Sequence, residues 1–275
     1  MDKFAVFGNP IAHSKSPQIH RLFAEQTAQK IEYTAILASV ETFEEELDRF
    51  FSDPNARGCN VTLPFKERAA SWVEDLTPAA QMAGAVNTII RDPSSGEFIG
   101  DNTDGEGLVQ DLLRQKVILQ KQRILLLGAG GASRGALYPL LQQKPKEIII
   151  ANRTFDKAQQ LADLVSGHSV IPISFKDLSA SSETIFDVII NSTSTSLSGV
   201  LPAIPDTCYK DVEFAYDMVY GQAPTTFMNH AMSLGVSRVS DGLGMLVGQA
   251  ALSFMKWTGK MPKVEETLSM MRDTL

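Results

Sequence analysis

The chain has 275 residues, 44% of them hydrophobic and 21% charged, with a formal net charge of −7. This is the composition of an ordinary globular protein of about two domains, at roughly 150 residues each. The acidic balance argues against a nucleic-acid partner, and no apolar run approaches the roughly 20 residues of a membrane span. An anionic substrate stays open, because local cations matter more than the sum. Two cysteines, Cys59 and Cys208, make neither a disulfide framework nor a zinc pattern. The apolar part of Met1–Pro10 is too short for a signal peptide, so a reduced cytoplasm is the simplest setting.

Lys3–Phe7 reads as a strand, broken by Gly8-Asn9-Pro10. After His13-Ser14-Lys15-Ser16-Pro17 a helix runs from about Pro17 to Ala28, with Ser16 as N-cap. Ser14 and Ser16 at a helix start also make a carboxylate site. His13 and His20 have no accompanying carboxylate cluster and read as surface or packing residues. Glu32–Leu37 is a second strand, Thr42–Phe51 a helix capped by Thr42, Gly58–Thr62 a third strand, and Pro64 opens another helix. This alternation predicts a mainly parallel sheet. Lys66 falls in the first turn of the helix at Pro64, where a cation opposes the dipole. Broken local rules mark functional positions, and an amine there suits proton transfer; outward snorkelling beside Glu67 is the alternative. Thr77-Pro78 starts a short helix. Val86–Arg91, which contains Asn87, and Glu97–Gly100 read as strands joined by a turn. Asp101-Asn102-Thr103-Asp104-Gly105 then leads into a helix, Glu106–Gln115, with Asp104 as its N-cap.

Arg123–Leu127 is an apolar run long enough for one buried strand. It ends in Gly128-Ala129-Gly130-Gly131, and Ala132–Gln143 reads as a helix. Strand, glycine turn and helix start in that order make the phosphate cradle of a dinucleotide-binding βαβ unit. Gly128 permits the tight turn, Gly130 lets a pyrophosphate approach, and the helix start offers free N–H groups. Ser133 stands where the pattern has its third glycine, and is small enough for close packing. Glu147–Ala151 is the next strand, and Asn152-Arg153-Thr154 follows about 25 residues past Gly128, where the second strand of such a unit ends. An NAD site wants an acid here for the ribose 2′-hydroxyl. Neutral Asn152 followed by Arg153 and Thr154, with Lys157 close by, points to a 2′-phosphate and so to NADP.

A helix over Phe155–Val165 and a strand near Val170–Ile173 come next. Phe186–Ile190 is a buried strand ending in Asn191-Ser192-Thr193-Ser194-Thr195, polar groups where doubly wound sheets bind ligands. Val212–Met218 is a further strand with Tyr220 just past its end, and Arg238–Ser240 closes the sheet. Asp241-Gly242-Leu243-Gly244 opens the helix Met245–Trp257, which puts Gly242 and Gln249 on one face. A last helix spans about Lys263–Arg272. The expected class is α/β, with a first domain over 1–101, a nucleotide domain over 102–241, and helices over 242–275 that could pack on either part.

Several motifs together resemble the shikimate dehydrogenase family, the NADP-dependent branch of the shikimate/quinate dehydrogenases. They are Ser14-Lys15-Ser16-Pro17, Asn60-Val61-Thr62-Leu63-Pro64-Phe65-Lys66, Gly84-Ala85-Val86-Asn87-Thr88 and Gly100-Asp101-Asn102-Thr103-Asp104-Gly105. The glycine turn, Asn152-Arg153-Thr154, Tyr216-Asp217-Met218-Val219-Tyr220 and Asp241-Gly242-Leu243-Gly244-Met245 complete the set. The resemblance spans nearly the whole chain and implies a substrate-binding catalytic domain, a Rossmann-type doubly wound NADP-binding domain, and C-terminal helices returning to the substrate domain. It implies that Ser14 and Ser16 hold a substrate carboxylate, and that Thr62, Asn87, Tyr220 and Gln249 bind the ring and its hydroxyls with Asn60 nearby. Lys66 and Asp104 are the implied catalytic pair. Gly128, Ala129, Gly130, Gly131 and Ala132 would hold the pyrophosphate, and Asn152, Arg153, Thr154, Phe155, Asp156 and Lys157 the 2′-phosphate end. Met218 and Gly242 would line the nicotinamide site, with Thr193 among the cofactor contacts.

The implied reaction is the reversible NADPH-dependent reduction of 3-dehydroshikimate to shikimate in aromatic biosynthesis. It needs a small-molecule substrate and no metal, nucleic acid or membrane, and it is compatible with a homodimer. Two alternatives are a quinate/shikimate dehydrogenase using NAD, which Arg153 and Asn152 oppose, and a silent cofactor or metabolite sensor, which Lys66 and Asp104 oppose. Two positions depart from the family pattern: Ser196 stands where glycine is usual, and Pro78 where some relatives carry an acid.

Overall fold

A computed structural model describes residues 1–180 and 185–275. The chain divides into two compact units, Met1–Gly107 with Leu246–Thr274, and Leu108–Met245 with Leu275.

In chain order the first unit contains β1 (Asp2–Gly8), α1 (Ser16–Thr27), β2 (Ile31–Leu37), α2 (Phe43–Phe51) and β3 (Ala56–Val61). It continues with α3 (Lys66–Trp72), β4 (Asp75–Leu76), α4 (Pro78–Ala83), β5 (Thr88–Arg91) and β6 (Phe98–Asp101). The strands form one sheet in the order β2-β1-β3-β5-β6-β4. β1 pairs in parallel with β2 and β3, but β5 runs antiparallel to both β3 and β6. β4 runs parallel to β6, so three of the five pairings are parallel, as expected, and β5 is the antiparallel exception. The cause is the turn between β5 and β6: Asp92 Oδ1 accepts from the amides of Ser94 and Ser95, and Gly96 adopts φ +83°. So short a link can join only antiparallel neighbours. α2 places Phe43, Leu47 and Phe51 on one buried face, and Phe43 stacks on Phe65 at 4.4 Å in the core of this unit.

Several helix starts differ from the capping expected of their sequences. Lys15 holds the cap position of α1, so Ser16 is its first residue, and the Ser16 amide donates to Ser14 Oγ at 3.3 Å. Thr42 caps α2 in position only, because its hydroxyl donates to the Glu46 carboxylate. α3 begins at Lys66, beyond Pro64. Asn87 lies just before β5 rather than within it. Thr77 does cap α4, accepting from the Ala80 amide at 3.3 Å, with Pro78 as first residue.

α5 (Asp104–Arg114) carries the chain into the second unit. There follow β7 (Arg123–Leu127), α6 (Gly131–Gln142), β8 (Glu147–Asn152), α7 (Phe155–Asp163), β9 (Val170–Ser174) and α8 (Phe175–Ala180). β10 (Val188–Asn191), β11 (Phe214–Asp217), α9 (Thr226–Ser233) and β12 (Val239–Ser240) complete the unit. Its strand order is β12-β11-β10-β7-β8-β9, and every pairing is parallel. Counted from β7 this is the Rossmann order, with the switch point between β7 and β10. Ile124–Leu127 and Val188–Ile190 are buried, the continuous apolar pattern of strands covered on both faces.

α8 and α9 lie outside the expected elements. α9 carries a legible start signal, Thr225, whose hydroxyl accepts from the Met228 amide. α10 (Leu243–Thr258) then re-enters the first unit, followed by α11 (Val264–Asp273). Gly242 precedes α10 and shares no helical face with Gln249. The divisions fall inside the continuous helices α5 and α10, beyond the expected 101 and 241. Among the described residues no helix is long and apolar enough to cross a membrane.

Candidate active site

In the first unit, Lys66 and Asp104 are brought together from two helix starts. Lys66 Nζ lies 2.5 Å from Asp104 Oδ2, with each side chain about a quarter exposed. The carboxylate therefore answers the lysine that opposes the α3 dipole, and Asp104 does not act as an N-cap. Its own amide donates instead to Asn102 Oδ1 at 3.2 Å. The other carboxylate oxygen accepts from Asn87 Nδ2 at 2.8 Å. The Asn87 amide is oriented by the rest of its partners: Oδ1 accepts from Thr88 Oγ1 at 2.8 Å and from the Thr103 amide at 2.9 Å. Asn87 Nδ2 also reaches Gln249 Oε1 at 3.3 Å, which brings α10 to the same point.

Behind this pair is a buried polar layer. Asn60 Nδ2 donates to the Asn87 carbonyl at 3.0 Å and to Ser253 Oγ at 3.1 Å, and Ser253 and Thr88 hydroxyls meet at 2.7 Å. Tyr33 donates to Asn60 Oδ1 at 2.7 Å. Burial pushes the Tyr33 phenol well above its usual range. Ser14, Ser16 and Thr62 are half-buried, and the Thr62 methyl packs on Gly8 at the end of β1. Asp101 ties β6 to α10: Oδ2 pairs with Lys256 at 2.7 Å, and Oδ1 accepts from Thr77 at 2.5 Å. Tyr33, Ser253, Asp101 and Lys256 were not readable as site residues, because each acts through a partner distant in sequence. His20 is a packing residue. Its ring stacks on Tyr33 at 4.1 Å, neither nitrogen has a hydrogen-bond partner among the described residues, and burial drives its pKa down to about 3.

In the second unit, the glycine turn has the shape a phosphate needs. Gly128 has φ +105°, and a Cβ there would meet Ser192 Oγ at 2.7 Å. A Cβ at Gly130 or Gly131 would meet nothing within 4 Å, so the backbone is open at the start of α6. Ser133 is fully buried and does more than replace a glycine. Its hydroxyl donates to the Gly128 carbonyl at 2.8 Å and meets Ser192 Oγ at 2.5 Å, which locks the turn to β10. Ala129 is half-buried and Ala132 exposed.

Asn152 ends β8, and its Nδ2 donates to the Thr154 carbonyl at 2.8 Å. Arg153, Thr154, Phe155, Asp156 and Lys157 are exposed around the start of α7. Among the described residues neither Arg153 nor Lys157 forms an ion pair, which leaves two free cations at this strand end. Past β10, Thr193 donates to Asn191 Oδ1 through its hydroxyl at 2.6 Å. Past β11, Met218 and Gly242 are in backbone contact: a Cβ on Gly242 would lie 2.1 Å from the Met218 carbonyl oxygen. Tyr220 lies three residues beyond β11, and burial raises its pKa. Asp217 is fully buried, and burial raises its carboxyl above the usual range despite four donors.

Family models match three stretches of the chain. They are the shikimate dehydrogenase substrate binding domain over residues 6–89, shikimate/quinate 5-dehydrogenase over 111–201, and the shikimate 5′-dehydrogenase C-terminal domain over 242–268. A shikimate dehydrogenase (NADP(+)) of Vibrio campbellii is 53% identical, covering 100% of this chain and 98% of the relative. One from Photobacterium profundum is also 53% identical, covering 100% and 99%. Among solved structures, an Ael1 enzyme from Pseudomonas putida superposes with a TM-score of 0.93 at 38% identity, covering 98% of each chain. Shikimate 5-dehydrogenase from Thermus thermophilus, in complex with NADP(H) and shikimate, gives a TM-score of 0.87 at 32% identity with 100% of each chain covered. By these matches along its whole length, the chain belongs to the shikimate dehydrogenase family.

Proposed function

We propose that this chain catalyses the reversible reduction of 3-dehydroshikimate to shikimate with NADPH, a step of aromatic biosynthesis. The observation that carries this reading is the Lys66–Asp104 pair, held by Asn87 and still partly open to a ligand. The second unit fits the cofactor by its own geometry: an open glycine turn at Gly130 and Gly131, and exposed Arg153 and Lys157, without an ion pair among the described residues, where a 2′-phosphate would lie. Gly128–Ala132 would take the pyrophosphate, Asn152–Lys157 the phosphorylated ribose, and Thr193, Met218 and Gly242 the nicotinamide end. When bound, NADPH supplies the hydride for the substrate carbonyl carbon.

The chain's own residues handle the oxygen. As that oxygen gains charge, Lys66 stabilises it as a cation and transfers a proton from Nζ to it, completing the hydroxyl. The amine then recovers a proton from solvent, and in the reverse direction it removes the hydroxyl proton. Asp104 aims the amine and accepts from a substrate hydroxyl. Ser14 and Ser16 hold the substrate carboxylate, and Thr62, Asn87, Tyr220 and Gln249 the ring hydroxyls, with Asn60 fixing Asn87 from behind. A cytoplasmic location and a homodimer belong to the same proposal. Absorbance of NADPH formed from shikimate and NADP+, measured beside quinate and NAD+, tests it. The reading expects shikimate with NADP+ to dominate, and comparable efficiency with quinate or NAD+ would refute it.

A further inference from the structure

Asp217 receives four hydrogen bonds from four separate segments at the C-terminal edge of the second sheet. Its Oδ1 accepts from Asn191 Nδ2 and from the Val219 amide, both at 3.1 Å. Its Oδ2 accepts from Ser196 Oγ at 2.6 Å and from Thr225 Oγ1 at 2.7 Å. The donors sit at the end of β10, in the 3-10 turn Thr195–Ser198, just past β11, and at the cap of α9. Asn191 passes the constraint on, because its own Oδ1 accepts from the amide and the hydroxyl of Thr193. Its carbonyl accepts from the Met218 amide at 2.9 Å, and the Val219 carbonyl accepts from Gly242 at 3.1 Å. Thr193, Met218 and Gly242 are thus all set, directly or at one remove, by groups bonded to one carboxylate.

We propose that Asp217 is the positioning residue of the nicotinamide end of the cofactor site, with Ser196 as its adjustable fourth contact. The inference rests on the NADP reading above. The two carboxylate oxygens differ in what they face. Oδ1 meets N–H groups that can only donate, whereas Oδ2 meets hydroxyls that can reverse. Asparagine at 217 keeps an acceptor for both N–H groups, and the hydroxyls turn to accept from its amide. Alanine leaves buried donors without acceptors, the costly case.

The test compares wild type, Asp217→Ala, Asp217→Asn and Ser196→Ala by Kd for NADP+, by KM for NADP+ and for shikimate, and by thermal melting. Asp217→Ala is expected to raise the NADP+ Kd and KM by about tenfold or more, and the shikimate KM by less. Asp217→Asn recovers most of that loss. Ser196→Ala raises the NADP+ KM by about threefold, the effect of part of one hydrogen bond, with the shikimate KM unmoved. Wild-type NADP+ affinity in Asp217→Ala overturns the proposal. So does an asparagine variant as poor as the alanine, or an equal rise in both KM values that tracks a lowered melting temperature. If Asp217→Ala does not fold, the other two variants decide. Should wild type bind NADP+ yet not turn over shikimate, the proposed reaction fails while the Kd series still judges Asp217.

Discussion

Lys66→Ala separates the chemistry from the fold. In the structure this change removes an ion pair whose two side chains are each about a quarter exposed. Such a pair contributes about 0–1 kcal/mol. The same change removes a cation from the first residue of α3, where the dipole disfavours it by about 0.3–1 kcal/mol. The two effects oppose each other, so net stability moves by less than about 1 kcal/mol and the melting temperature by less than about 4 °C. Asp104 keeps its Asn87 bond at 2.8 Å and its place at the start of α5. The rate has no such compensation. Loss of a positioned proton donor costs about 10²–10⁴ in kcat, or roughly 3–5 kcal/mol of barrier. The assay is steady-state kcat and KM for shikimate, with NADP+ binding and thermal melting as controls. The expected outcome is a collapse of kcat with wild-type melting and cofactor affinity. Lys66→Arg keeps the charge but not an acid that deprotonates in a protein, so it is expected to rescue little. A kcat within tenfold of wild type for Lys66→Ala, or an activity loss that follows unfolding, refutes the reasoning.

Three further outcomes follow from single contacts. Arg153→Ala is expected to lower kcat/KM for NADPH by about 10–100-fold, the worth of one or two charge-assisted bonds, with NADH kinetics unmoved; a parallel fall with both cofactors would place Arg153 elsewhere. Gly242→Ala puts a methyl 2.1 Å from the Met218 carbonyl oxygen, a backbone atom that cannot swing away. It should cost about 1–3 kcal/mol in a melt and weaken NADP+ binding in a direct titration. His20 is held neutral by burial, with a folded pKa of about 3 against an ordinary value of 6.5. Its contribution is complete above the unfolded pKa and is lost as pH falls from there towards 3, at about 1.4 kcal/mol per pH unit. His20→Phe, which keeps the stack on Tyr33, should remove that slope from stability measured between neutral and acid pH.

The legible parts of this chain are those whose causes are local. A run of buried aliphatics, a glycine turn and a helix start lie within Arg123–Gln142, and the parallel second sheet grows from them. The turn around Asp92 is legible as the link between β5 and β6, but the antiparallel pairing of β5 with β3 joins strands distant in sequence and is not. Thr77 caps α4 as its sequence suggests, but the caps expected at Ser16 and Asp104 fail. Each is the first residue of its helix rather than the residue before it, and the Asp104 carboxylate is taken by Lys66 and Asn87 from elsewhere in the chain. Ser133 and Ser196 reverse the lesson, since each takes a glycine's place in an expected pattern. Each hydroxyl finds a specific acceptor, the Gly128 carbonyl for one and the Asp217 carboxylate for the other, so neither departure empties its site.

In the proposed reaction, the placement of Lys66 and Asp104 bears on how the developing charge would be met. Lys66 and Asp104 are the first residues of α3 and α5, and a helix start favours negative charge within its first turn. For Asp104 this agrees with its charge, and Asn87 adds a second donor to the same carboxylate. For Lys66 it opposes the resting cation, but it assists an oxyanion forming next to Nζ. In the proposed reduction, the developing charge would therefore be met by the amine and by the dipole of the helix that carries it. Fixed donors of this kind need no rearrangement when the charge appears, which is the condition under which electrostatic stabilisation is most effective. The rigidity comes from neutral groups: Asn87 with Thr88 and Thr103, and Asn60 with Tyr33 and Ser253, are hydrogen-bonded to one another in a buried layer. That division of labour leaves the charged pair partly open for substrate while its orientation is decided behind it.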